Sequence, residues 1–196
     1  FKTVNMKKLT LAEFDLQKVK LNKKGLDVSF WEKGNNNEMI TIESDTLPHP
    51  DLTDKLAEFK ELFAESMETL DGWEFARENN RKNEEALRAA IRGRQEEIDR
   101  FTVSGVVLKG KNEYLGIAIT GYRSTENGKA GITSPTIRFT DAEDNINAPA
   151  TDLFDDLQKE IWMYLFKGKK AQPDLMDLIT QEEQEQSGLN NMRVAL

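Results

Sequence analysis

Little in this chain is equipped to make or break a covalent bond. His49 is the only histidine, and it stands between Pro48 and Pro50 just ahead of a segment with helical periodicity. A general base needs a nucleophile beside it, and the chain has no cysteine and no serine in a nucleophile-elbow setting. One histidine makes no triad, so a structural or capping role at the helix start is the simpler reading. Neither a G-x-G-x-x-G turn nor a G-x-x-x-x-G-K followed by Ser or Thr occurs, so no phosphate-cradling loop is indicated. The segment DAEDNINAPATD places Asp141, Glu143, Asn145, Asn147 and Asp152 at calcium-loop offsets, but Ile146 stands where that loop requires glycine. We therefore expect no catalytic residue, no metal and no cofactor, and a protein that is not an enzyme.

The side chains that could do chemistry are cationic and aromatic, and their chemistry is recognition. Lys18, Lys20, Lys23, Lys24, Lys109, Lys111 and Arg138 could contact phosphates, while Trp31 and Tyr122 could stack on bases. Stacking aromatics on a sheet with lysines tracking a backbone is how single strands are held, each stacked base contributing ~1–3 kcal/mol. Aromatic residues are also enriched at protein interfaces, so Trp31 and Tyr122 packed under a helix or between subunits is the competing reading. Which holds depends on the elements that carry them.

Those elements occur in two matching sets. Phe14, Leu16, Val19 and Leu21 have the spacing i, i+2, i+5, i+7, and so do Phe101, Val103, Val106 and Leu108. Strict alternation would give i+4 and i+6, so each segment carries a one-residue phase slip at the same point, the mark of a β-bulge. Leu26, Val28 and Phe30 alternate in a second strand, as do Leu115, Ile117 and Ile119. A third strand is expected at Ile40 and Ile42 in the first set, and at Ile137 and Phe139 in the second. Each set closes on a helix, with Leu52, Leu56, Phe59, Phe63 and Leu70 striping one and Leu153, Leu157, Ile161, Tyr164 and Leu165 the other. Pro50 suits a first helical turn, Thr151 is a candidate cap, and the aspartates Asp51, Asp54, Asp152 and Asp155 suit the positive ends of the helix dipoles. Lys167, Lys169 and Lys170 suit the negative end of the second helix, and Gly168 is a stop signal.

The expected fold class is α+β: a tandem β-β-β-α duplication forming one antiparallel sheet with two helices on one face, plus an inserted connecting helix. The domain spans residues 10–171, with a first repeat over 10–70, a helical insertion over 71–100 and a second repeat over 101–171. A polar tail occupies 172–196. The insertion has a weak apolar stripe at Leu87, Ala90, Ile91 and Ile98 and reads as a solvated connector, or alternatively as an arm for self-association or a partner. On the sheet face away from the helices, the alternation places Gln17, Lys20, Ser29, Trp31, Thr41, Ala118, Thr120, Tyr122 and Arg138, with Lys18 near the bulge.

The formal net charge is −8, carried mostly by residues 51–100 and 151–196, while residues 1–50 and 101–150 are close to neutral. That balance argues against coating duplex DNA by charge alone, but a basic face on an acidic body is compatible with it. No apolar run approaches the ~20 residues of a membrane-spanning helix. A cytoplasmic location and no membrane partner are expected.

The segments HPDLTDKLAEFKELFAES, VSGVVLKG, LGIAITGYRSTENGKAGITSPTIRF and EIWMYLFKGKKA resemble a family of small proteins encoded by bacteriophages and mobile elements of gut bacteria, to which no activity is assigned. The similarity spans most of residues 10–172 and implies a phage setting in the host cell cytoplasm. At the level of fold, the repeated unit resembles the Whirly and PUR-alpha single-strand binders, which use four strands per repeat where three are read here. Sliding clamps also repeat strand–helix units on an acidic body, but their inner helices are basic and these are acidic. The resemblances imply a single-stranded nucleic-acid-binding protein of phage DNA replication or recombination; a homo-oligomer is also expected. The alternative is an interaction module, such as a defence inhibitor or assembly factor, whose partner is a host or phage protein.

Overall fold

The computed structural model describes residues 9–167, apart from 24, 35–38, 46–47, 71 and 141–145. The protein is α+β, with one antiparallel seven-stranded sheet. Its strands are β1 (Phe14–Leu21), β2 (Leu26–Glu32), β3 (Met39–Ser44), β4 (Phe101–Lys109), β5 (Gly116–Thr125), β6 (Gly128–Thr133) and β7 (Ile137–Arg138). They lie in the order β3-β2-β1-β4-β5-β6, with β7 also paired to β5. The described helices are α1 (Pro50–Ala57), α2 (Lys60–Ser66), α3 (Trp73–Asn79), α4 (Glu84–Asp99) and α5 (Ala148–Phe166). None of them is long and apolar enough to cross a membrane.

Both phase slips are real irregularities. The register of β1 on β2 shifts between Leu16 and Lys18, and that of β4 on β5 shifts between Val103 and Gly105. One extra residue in each strand, Gln17 and Ser104, re-aims everything after it. Val19 and Val106 thereby return to the core, and Lys18, Lys20, Val107 and Lys109 turn to the opposite face. The two bulged strands meet only along Lys18↔Val107, Val19↔Val106 and Lys20↔Gly105. Beyond that short seam β1 parts from β4, and the Leu16 N–H donates instead to Gln158 Oε1 of α5 at 3.1 Å.

The core lies between the sheet and the helices. Phe14, Leu16, Val28, Phe30, Phe101, Val106, Ile117 and Ile119 form one cluster with Leu52, Leu56, Phe59, Phe63, Ile98, Phe154, Leu157 and Ile161. Phe14 meets Phe30 at 4.8 Å and Phe166 at 5.9 Å, and Phe101 meets Phe63 at 5.2 Å. Gly121 shows how closely these layers approach: a Cβ there would sit 1.9 Å from the Thr102 carbonyl oxygen and 3.1 Å from the Phe63 ring.

Several sequence expectations are corrected. The third strand of the second set is β6, not a strand through Ile137 and Phe139; only Ile137–Arg138 pairs, as β7, and Phe139 lies outside it. β6 is an edge strand with the sequence GKAGIT, mostly exposed, so it has no apolar alternation to betray it. The first closing helix is interrupted at Glu58–Phe59, giving α1 and α2, with Leu70 beyond both, and the insertion is two helices rather than one. The cap of α5 is Asn147, whose side chain accepts from the Ala150 N–H at 3.3 Å; Thr151 lies inside the helix. Because α5 begins a turn earlier than expected, Asp152 and Asp155 lie past its first turn and have no role at its positive end. Lys167 sits at the C-cap, its ammonium 5.2 Å from the centre of the Trp162 ring. The expected stop at Gly168, Lys169 and Lys170, and the tail over 172–196, fall outside the described residues.

Candidate nucleic-acid interface

His49 takes the capping role. Its Nδ1 accepts from the Asp51 N–H at 3.2 Å, with Pro50 at the first position of α1. Of the calcium-loop offsets, Asn147 is the cap of α5 and 141–145 lie outside the described residues.

The residues expected to serve recognition are set out by strand register. On the face away from the core, Lys18 stands between Ser29 and Val107, and Val107 pairs onward with Ala118. One step along, Lys20 stands between Asp27 and Gly105, followed by Thr120 and Thr133. A further step brings Tyr122, opposite Thr102 and Gly131. In the other direction Trp31 is opposite Asp15 and Met39, while Lys109, Gly116 and Arg138 form a row on β4, β5 and β7.

This arrangement brings some of the expected residues together and separates others. Lys18, Lys20, Ser104, Val107, Thr120 and Tyr122 line one open groove of 430 Å³. No acidic residue lines it, although the chain as a whole is strongly acidic. The Tyr122 ring is 46% exposed, and its β6 neighbour Gly131 has no side chain to cover it. Trp31 is half-buried and lies three strands away from Tyr122 and three two-residue steps along, about 25 Å on the diagonal. The two aromatics are therefore on the same face but do not form one stacking platform. Lys109, Lys111 and Arg138 are exposed at the β4–β5 turn end, and Lys23 is exposed in the β1–β2 hairpin at the other end. Lys24 lies outside the described residues.

The acids on this face mark its boundary. Asp27 on β2 stands opposite Lys20, on the side away from β4, and accepts from Asn22 Nδ2 at 2.9 Å, and Glu43 is the next residue in that row. Asp15, opposite Trp31, has its carboxyl held above the ordinary range by burial, with the Lys33 ammonium pulling the other way. The cationic surface thus extends over β1, β4 and β5 and gives out towards β2 and β3.

The chain matches no family model, no curated protein and no solved structure. The function must be argued from its own geometry. Apart from Ala150, the buried apolar residues of the described helices all belong to the single core on the other side of the sheet. The inserted helices stay on that side too: Arg94 of α4 binds Glu61 and Glu65 of α2 and lies over the Trp73 ring, while Glu97 binds Arg123 beside Phe101. Trp31 and Tyr122 are not packed beneath them. Sequence reading missed one aromatic on the cationic side. Tyr114, 56% exposed, has the Arg138 guanidinium 5.0 Å from its ring centre. A solitary tyrosine in a turn carries no periodic signal.

Proposed function

We propose that this protein is a non-enzymatic binder of single-stranded nucleic acid, serving phage DNA replication or recombination in the host cytoplasm. The observation that carries the reading is the acid-free groove on the outer sheet face, where Lys18 and Lys20 stand beside the exposed Tyr122 ring. Lysines fix the phosphates and an aromatic ring accepts any base, which gives affinity with little sequence preference. The phage setting comes from the family resemblance alone.

Fluorescence anisotropy with a labelled, unstructured oligonucleotide at several salt concentrations tests it. Binding should weaken as salt rises. Replacing Lys18 and Lys20 together by Ala should make the log–log salt slope shallower by roughly 1.4, about 0.7 for each single-strand phosphate no longer neutralised. Tyr122→Ala should weaken binding about 5- to 150-fold, the equivalent of one stacked base. Absence of binding at low salt overturns the proposal.

A second reading is favoured by the inserted helices. Phe75 is 74% exposed and Ile91 50%, and Trp73, Leu87 and Ile91 line a 430 Å³ cleft rimmed by Arg77 and Arg81, both paired with Glu78. An interaction module that engages a host or phage protein would use this surface. Substitutions there would then abolish partner capture and leave oligonucleotide binding, if present, unchanged.

A further inference from the structure

We infer that Tyr114, backed by Arg138, is the second base-stacking position, and that the bound strand runs along β5 from Tyr122 to Tyr114 rather than across the sheet to Trp31. This rests on the reading of the outer face as a single-strand platform. Register fixes the line of the track. Thr120, Ala118 and Gly116 follow Tyr122 down the outer side of β5, and Gly105 and Val107 flank them on β4. Apart from Val107 these side chains are small, and Gly116 and Ala118 are buried, so the floor is low where a nucleotide backbone would lie. One wall carries Lys18 and Lys20 on β1, and the row beyond carries Lys109 and Arg138 on either side of Gly116.

The far end has what a stack requires. Arg138 already lies over the Tyr114 ring, both are exposed, and Lys111 enters the same turn. A base can add to the open side of that guanidinium–ring pair, because arginine planes and aromatic rings both stack on bases. Glu113 is the one acid in the turn, against the three cations Lys109, Lys111 and Arg138. From Tyr122 to the Gly116 row is three two-residue steps, about 20 Å, which suits a strand of roughly four nucleotides. The route to Trp31 is poorer: it ends beside Asp15, and Asp27 and Glu43 occupy the Lys20 row, two rows from Trp31. Phosphates following it would meet carboxylates.

The test is oligonucleotide anisotropy on the full chain with Tyr114→Ala, Tyr114→Phe and Trp31→Ala, each checked for an unchanged circular dichroism spectrum. Tyr114→Ala should weaken binding about 5- to 150-fold, as one stack does, while Tyr114→Phe keeps it and Trp31→Ala changes it less than twofold. Arg138→Gln gives a parallel decision without disturbing the turn, and should weaken binding at least fivefold. Wild-type binding that survives both Tyr114→Ala and Arg138→Gln overturns the inference and leaves the single-strand reading standing, as does a loss confined to Trp31→Ala. Equal weakening in Tyr114→Phe and Tyr114→Ala assigns the contact to the hydroxyl and overturns stacking. A wild-type protein that does not bind overturns both.

Discussion

Asp15 is a carboxylate beside Trp31 that is only partly open to water, and burial outweighs Lys33 in setting its proton affinity. The folded protein therefore holds the Asp15 proton more tightly than the unfolded chain does. Unfolding then releases it in the window between the unfolded value near 3.8 and the raised folded value. Within that window stability falls as pH rises, and at neutral pH the charged carboxylate is a standing cost. Asp15→Asn should make the protein more stable at pH 7, with the advantage shrinking as pH falls through the folded pKa and closing near 3.8. Urea denaturation of both proteins at pH 7 and pH 4 measures this. An equal difference at the two pH values would show that packing, not ionisation, is responsible. The burial of Asp15 could not be read from the sequence: it depends on which residue β2 brings opposite, and that is Trp31, distant in the chain.

At the scale of elements, the passage from β6 to β7 is an irregular part of the sheet, and Ser134 holds it to β5 through both its backbone and its hydroxyl. Ser134 breaks the strand, yet its N–H donates to the Ile119 carbonyl at 2.8 Å and its Oγ accepts from the Ile119 N–H at 2.9 Å. The side chain thus replaces a missing ladder partner for a strand residue that is fully buried. Ser134→Ala leaves that N–H unpaired and should cost about 1–3 kcal/mol, read as a lower urea midpoint with unchanged m-value. A shift below about 0.5 kcal/mol would mean the N–H finds another acceptor. Such devices explain what the sequence could and could not disclose. The bulges at Gln17 and Ser104 were legible because a phase slip displaces the apolar residues that follow it, and it happens in both strands. β6 was not, since an exposed edge strand needs no apolar alternation; nor was the Asn147 cap, which precedes the apolar stripe by more than a turn. Lys18 and Lys20 could be placed on the outer face from the slip alone. The Arg138–Tyr114 contact could not, because only the pairing of β7 with β5 brings those two residues together.

The whole molecule is organised by cross-packing. α5, which follows the second set of strands, lies over β1 of the first: Phe166 meets Phe14 and Phe30, Gln158 binds the Leu16 N–H, and Trp162 Nε1 donates to the Leu9 carbonyl at 2.9 Å. α2, which follows the first set, covers β4 of the second through Phe63 and Phe101. Each set of strands therefore depends on the other's helix to cover its apolar face. Separating them would expose Phe14 and Phe30 on one side and Phe101 on the other, none of which has any surface open to water in the intact fold. The two sets should then unfold in a single cooperative transition despite the short seam between β1 and β4. Trp31 on β2 and Trp162 on α5 allow a direct check. Variants retaining only one of these tryptophans, with Trp73 and the other replaced by Phe, should give superimposable fluorescence transitions in urea once each is referred to its own circular dichroism midpoint. If both tryptophan signals changed at a lower urea concentration than the secondary structure, the first strands would be detaching from α5 as a unit of their own. The outer face, which takes Lys18 and Lys20 from β1 and Tyr122 from β5, would then be a transient surface assembled from two separable parts. A single transition instead makes that face persist for as long as the core behind it does, so that a flexible strand meets β1 and β5 already side by side.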